Sequence, residues 1–279
     1  MKPAVTHICR RRIHKPSRGE PKGSPCLVST ADNTLRRRAS ILAGDPNGSD
    51  AFDPSVEWEG FATDTFDGLG SHQVTDPCTQ PFTAIYQIQG SGLSAAITGN
   101  VTTQGVVVGD FEGSTGLQGF YMQDVTGDGD PATSDGIFVF TGNADTVSAG
   151  QLVRVTGYAH ERFNQTSING SNSNSSPVTL ANIINCGTGS VATTPVYMPF
   201  ADENYLERFE GMLVTFPRPL VISEYFNYDR FGEIVLALPL DGEERLFTPT
   251  AIDEPGAPAL ARALANSLRR ITLDDGLGV

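Results

Sequence analysis

The sequence predicts a mainly β fold with one well-defined helix near its C-terminus, on three observations. Thirty glycines and 18 prolines among 279 residues, with 39% apolar content, describe a turn-rich chain rather than a helical or disordered one. Short runs rich in β-branched and aromatic residues recur through the middle of the chain: Val101 to Val108, Gly119 to Asp124, Gly136 to Phe140 and Leu152 to Tyr158. Each is bounded by Gly, Asp, Asn or Ser, the pattern of strands joined by turns. Only Pro258 to Arg270 carries a clear helical period, with Leu260, Leu264 and Leu268 four apart and Arg269 and Arg270 at the end the helix dipole favours.

The net charge of -13 conceals an asymmetry. Residues 1–38 hold 10 Lys and Arg against 2 acids, while residues 39–279 hold 9 Arg, no Lys and 30 acids, a charge of -21. The first 26 residues, basic and without an apolar period, read as a disordered tail or as sequence from a start codon out of step with the native frame. They are not a signal peptide, because no apolar segment follows the arginines. An acidic body opposes tight nucleic-acid binding, since phosphate affinity comes mainly from cationic side chains. No apolar run approaches the roughly 18 residues of a membrane helix, so the chain is expected to be soluble with no membrane span.

Residues 27–76 form a unit holding the only tryptophan, in an alternating Val56, Trp58 pattern that ends at Phe61. Leu35 and Ile41 to Leu42 are short strand candidates. Asp45-Pro-Asn47-Gly-Ser-Asp50-Ala-Phe-Asp53 reads either as Asx-turns or as a cation site. Residues 75–81 read as a linker.

Between the second and third central strands lies Asp124-Val-Thr-Gly-Asp128-Gly-Asp130-Pro-Ala-Thr-Ser-Asp135. Four carboxylates in so short a loop repel one another when empty, and a hard cation relieves that repulsion. Asp124, Asp128, Asp130 and Asp135 are therefore candidate Ca²⁺ ligands, against the plainer reading of a solvated acidic loop. The spacing is not that of the 12-residue EF-hand loop, whose terminal Glu is missing.

Further on, Gln165 to Ser176 reads as a polar loop, and Pro177 to Cys186 as a strand. Asp202 to Phe209 has helical spacing; Met212 to Phe216 and Leu220 to Ser223 read as strands. Glu233 to Leu240 and Arg245 to Thr248 are expected to form a hairpin around Asp241-Gly242. The aromatics Phe120, Tyr121, Phe138, Phe140, Tyr158 and Phe163 are either core or partly a base-stacking platform. Neighbours such as Phe120 and Tyr121 must point to opposite faces, so about half can be exposed together. Tyr121, Phe138 and Tyr158, with the nearby cations Arg154 and Arg162, are the candidate nucleic-acid contacts.

Residues 31–72, ADNTLRRRASILAGDPNGSDAFDPSVEWEGFATDTFDGLGSH, followed by PFTAIYQIQGSG, GFYMQDVTGDGDPATSDGIFVFTG and VRVTG, resemble the secreted bacterial extracellular endonucleases of the ExeM/NucH type. The first piece is similar to the end of a lamin-tail-type β-sandwich, the others to the OB-like β-barrel that follows it. ERFEGMLVTFPRPLVISEYFNYDRFGEIVLA and RRITLDDG resemble the segment leading toward the nuclease domain. After the basic tail (1–26), the resemblance implies a partial sandwich (27–76), an OB-like barrel (77–188) and a β-rich segment (189–279), in which the leucine spacing places the helix over 258–270.

It also implies that the catalytic endonuclease/exonuclease/phosphatase domain, which uses Mg²⁺ or a similar ion, lies beyond Val279. That chemistry needs metal-holding Asn and Glu, an Asp/His pair and usually Ser-Asp-His. No Ser-Asp-His occurs here, and His7, His14, His72 and His160 are isolated in the sequence. The expectation is a non-catalytic, substrate-positioning piece of an extracellular DNA endonuclease, with DNA as a weak partner; the alternative is a stand-alone Ca²⁺-stabilised surface or adhesion module. The oxidising setting that a secreted protein implies predicts a Cys78–Cys186 disulfide, although four cysteines permit three pairings. Cys9 and Cys26 are expected to be unpaired.

Overall fold

The computed structural model describes residues 33–43, 54–68, 70–72, 74–171 and 179–277. The basic tail with His7, His14, Cys9 and Cys26, the Asp45–Asp53 stretch and residues 172–178 lie outside the described residues. The chain divides into two compact units, 1–80 and 81–279, so the barrel and the segment after it share one unit.

In the first unit β1 (Asn33–Arg37) pairs antiparallel with β2 (Trp58–Ala62), which follows a single turn of helix, α1 (Pro54–Glu57). The guanidinium of Arg36 lies 4.3 Å from the centre of the Phe61 ring and reaches Asp67 at 2.6 Å. The described residues here form one two-stranded sheet, and Ile41 and Leu42 are not in a strand.

The second unit opens with a short helix, α2 (Ile85–Gln89), and a barrel: β3 (Gly99–Phe111), β4 (Gly119–Gln123), β5 (Gly136–Phe140), β6 (Gln151–Glu161) and β7 (Thr166–Asn169). The order is β3-β4-β5-β7-β6, and β3 pairs again with β6, so five strands close on themselves. All neighbours are antiparallel except β5 and β7, which run parallel. This is an OB-like barrel, and closure removes its free edges. One long strand serves two neighbours by bending: Val106 pairs with both Gln123 and Leu152, and the register shifts between Val107 and Gly109. Gly105 is needed at this corner, because a Cβ there would stand 2.8 Å from the Gln123 carbonyl oxygen. A sixth strand, β8 (Asn182–Thr188), adds to β6.

Alternation fills the interior. Val101, Val107, Phe120, Met122, Ile137, Val139, Val153, Val155, Ala159 and Ile168 form one core, which Ile85 and Ile88 of α2 join. Each such large side chain, fully buried, contributes about 1.5 to 3 kcal/mol.

β7 corrects the sequence reading, which placed Thr166 to Asn169 in a polar loop. All four residues are buried. A strand with a neighbour on each side satisfies its backbone, and here only Ile168 has to reach the core; Thr166 and Ser167 hydrogen-bond to Glu161 and to the Gln165 carbonyl. Apolar content therefore underestimates such a strand.

The C-terminal segment is more open. β9 (Thr194–Pro195) and β10 (Val214–Thr215) pair in parallel over two residues, and β11 (Val221–Glu224), β12 (Ile234–Ala237) and β13 (Arg270–Leu273) form an antiparallel sheet. A second core gathers Val196, Met198, Phe200 and Leu238 with Tyr205, Leu206, Phe209, Leu268 and Ile271. Residues 205–209 form a 3₁₀ turn, and α3 (Tyr228–Phe231) is one short turn of helix.

The expected hairpin around Asp241-Gly242 does not form. β12 pairs instead with β11 and β13, and Arg245 to Phe247 lead without a strand into α4 (Pro249–Ile252). The long helix is present as α5 (Ala257–Ser267) but ends before the expected Arg269 and Arg270, because Arg270 opens β13; Leu260 and Leu264 are 71% and 54% exposed while Ala259 is buried. Arg262 fixes α5 by ion pairs with Glu243, at 2.6 Å, and with Asp253. Among the described residues no helix is long and apolar enough to cross a membrane.

Candidate nucleic-acid interface and acidic loop

The candidate DNA contacts separate into two groups. Phe138 is 3% exposed, and its ring lies 5.0 Å from that of Tyr121. Arg154 is 6% exposed, donates to the Pro81 carbonyl at 2.6 Å and faces the Phe82 ring. Both are committed to packing. Tyr158 is half-buried, edge-on to the buried His160 ring. Phe138 and Arg154 offer a ligand almost no surface, while Tyr158 keeps part of its ring accessible.

Arg162 belongs to the turn joining β6 to β7, and Tyr121 is tied to that turn through Gln165. Arg162 and Gln165 exchange backbone hydrogen bonds at 2.8 and 3.2 Å. The two residues between them, Phe163 and Asn164, have φ of 55° and 62°, the mirror-image turn whose hand matches strand twist. Asn tolerates a left-handed backbone; Phe does so at a cost of about 1 kcal/mol or more. Phe163 is also 80% exposed. The Arg162 guanidinium spans this site, 4.0 Å from the Phe140 ring centre and 4.9 Å from that of Phe163. Gln165 donates to the Tyr121 hydroxyl at 3.1 Å, and Phe111 meets Tyr121 edge-on at 6.0 Å. An exposed aromatic, a cation and a tyrosine thus sit on the outer side of the barrel. The sequence signal for Phe163 was the aromatic set itself; its exposure follows only from the tight turn.

The acidic loop joins β4 to β5 and is closed at its base by the Asp124 amide donating to the Asp135 carbonyl at 2.9 Å. Its four carboxylates have different surroundings. Asp124 is buried and accepts the Ile85 amide at 2.8 Å, holding α2 in the barrel mouth. Burial pushes its pKa up to about 6, against the pull of the Ile85 and Tyr86 amides, with Asp135 and Asp128 adding to the rise. Asp128 accepts the Asp130 amide at 2.9 Å and the Thr133 hydroxyl at 3.1 Å; Asp130 accepts the Ala132 amide at 2.9 Å. Asp135 is raised by burial and by Asp128, and its Oδ1 is buried with no hydrogen-bond partner. Gly127, at φ 60°, gives this carboxylate its space, since a Cβ there would collide with it. Among the described residues no group of three or more His, Cys, Asp or Glu side chains is drawn into a ligand shell.

Cys78, in a short 3₁₀ turn (Pro77–Thr79), and Cys186, on β8, are both disulfide-bonded. His72 is exposed and His160 buried, its pKa lowered by burial. No family model matches the chain, and no curated protein matches it.

Proposed function

We propose that this chain is the non-catalytic, DNA-positioning portion of an extracellular endonuclease, the phosphodiester being cut by a downstream endonuclease/exonuclease/phosphatase domain with Mg²⁺ or a similar ion. The observation that carries the reading is Phe163, held exposed at a left-handed position beside Arg162, in the same turn whose Gln165 reaches Tyr121, on an OB-like barrel. Folding alone rewards neither the exposure nor the backbone, whereas a base stacked on the ring rewards both. Barrels of this class bind oligonucleotides through the same strands and loops. Hydrolysis itself needs a metal-activated water, a proton for the leaving oxygen and positive charge on the phosphate. Residues 39–279, at -21, supply the last poorly, so contact here is weak and local.

A plasmid-nicking assay with Mg²⁺ and Ca²⁺ tests the division of labour. The chain alone is expected to leave supercoiled plasmid intact, while a longer chain carrying the downstream domain nicks it. Nicking by the short chain that survives removal of contaminating nucleases would overturn the reading.

A second reading, a Ca²⁺-stabilised secreted surface or adhesion module, is favoured by one observation: the unpartnered Asp135 Oδ1 beside Asp128. In this reading Asp128, Asp130 and Asp135 would turn from their loop hydrogen bonds to a hard cation, with Asp124 completing the set from its place under α2; the ion would neutralise their repulsion and order the loop. The disulfide-bonded Cys78 and Cys186 support an oxidising, extracellular setting in either reading.

A further inference from the structure

Where the C-terminal segment meets the barrel, Glu210 and Glu161 both accept hydrogen bonds from Thr166 of β7, and Glu207 lies one turn before Glu210, its carbonyl accepting the Glu210 amide at 3.0 Å. Glu210 ends the Tyr205–Phe209 turn, and its two oxygens accept the Thr166 amide of β7 at 3.2 Å each. Gln89 of α2 also hydrogen-bonds to this carboxyl. The Glu210 carbonyl accepts the Ser134 hydroxyl at 2.6 Å, and three residues later the Leu213 amide donates to Gln123 of β4 at 2.9 Å. One short stretch, residues 210–213, therefore ties the segment to α2, β4, β7 and the end of the acidic loop. Glu161 accepts the Ala95 amide at 2.7 Å and the Thr166 hydroxyl at 3.0 Å, so it cannot move away. A cavity of about 280 Å³, lined in part by Gln89, Ser134, Asn204, Glu207 and Arg208, adjoins the cluster and gives it access to water.

We propose that Glu210 is a pH-sensitive latch: protonated, it holds residues 205–215 against the barrel; ionised, it is repelled by Glu161 and Glu207 and the contact loosens. The charged groups acting on it are Glu207 from its own turn and Glu161 from β6. β7 and α2 present Thr166 and Gln89, which do not titrate, and the Arg208 guanidinium is turned over the Tyr205 ring, 4.5 Å from its centre. Burial is the largest cause pushing the Glu210 carboxyl up, to about 7, with Glu207 and Glu161 adding to it and the Thr166 amide and Gln89 opposing. A raised carboxyl gives stability that is present below its unfolded pKa and is lost as pH rises through its folded value. The latch therefore weakens between about pH 4.5 and 7 and is weakest above that.

The test is hydrogen exchange at the Thr166, Met212 and Leu213 amides of the full chain from pH 6 to 8.5, corrected for the intrinsic rate. Protection is expected to fall about tenfold in the wild type and to stay level in Glu210→Gln. Glu207→Gln, which removes one repelling charge, should move the midpoint to lower pH; this variant serves equally if Glu210→Gln does not fold. A level wild-type profile, an unchanged slope in Glu210→Gln, or an unmoved midpoint in Glu207→Gln would each overturn the proposal.

Discussion

The barrel and the segment that follows it solve the same problem with different completeness. In the barrel, closure gives strands β3 to β7 neighbours on both sides, and Phe120, Met122, Ile137, Val139, Val153, Val155 and Ile168 are all fully buried. In the segment, a three-stranded open sheet and α5 leave Ile222, Phe226, Tyr228, Leu260, Leu264 and Leu273 more than half exposed. The lesson is that exposed apolar side chains have different meanings in the two regions. Around an unfinished core they are ordinary incompleteness; on the barrel, where the other exposed apolar side chains reach at most the 61% of Leu93, the ring of Phe163 at 80% stands out.

Substitutions break the comparison most forcefully in the core. Phe120→Ala is expected to cost about 3 to 5 kcal/mol, because the closed wall cannot collapse into the space, while Phe226→Ala, at 91% exposed, stays within about 0.5 kcal/mol. Urea unfolding followed by circular dichroism distinguishes them; equal losses would mean that the barrel is not the stable body of this unit.

The disulfide comes next. If Cys78 and Cys186 are joined to each other, the bridge closes a loop of about 109 residues and is worth about 4 to 5 kcal/mol in the chain-entropy model, usually less in practice. Non-reducing peptide mapping should recover the two cysteines in one linked pair. Recovery of Cys78 joined elsewhere, or alkylatable in the oxidised protein, would remove the pairing.

A smaller effect sharpens the view of the acidic loop. With Ca²⁺ at one hundred times its dissociation constant, the native state should gain about 2.7 kcal/mol, seen as a rise in Tm. Asp128→Ala with Asp130→Ala should abolish that rise. An unchanged Tm at millimolar Ca²⁺, or a rise that the double variant keeps, would leave the loop held only by its internal hydrogen bonds.

The fold was legible in the sequence where local pattern and tertiary demand agree. The expected Gly136 to Phe140 strand is β5, and Val101 to Val108 lies inside β3, because apolar residues there face a core. β7 was not legible, since two neighbouring strands make its polar residues acceptable. The hairpin at Asp241-Gly242 failed for the converse reason: the turn forms, with the Glu243 amide donating to the Leu240 carbonyl at 2.9 Å, but β12 finds its partners in β11 and β13. At the candidate interface, residue type pointed to Tyr121, Phe138, Tyr158, Arg154 and Arg162 alike. Which of them face out depends on pairing register and on what covers each ring, neither of which a single sequence records.

The central claim is that Phe163 is exposed in order to stack on a base. Fluorescence anisotropy with a labelled single-stranded oligonucleotide, at physiological ionic strength, tests it most directly. The wild type should bind weakly, Phe163→Ala should lose about 1 to 3 kcal/mol of that affinity, the value of one stacked base, and Phe226→Ala should lose none. No binding by the wild type, or equal affinities for the wild type and Phe163→Ala, would contradict the account.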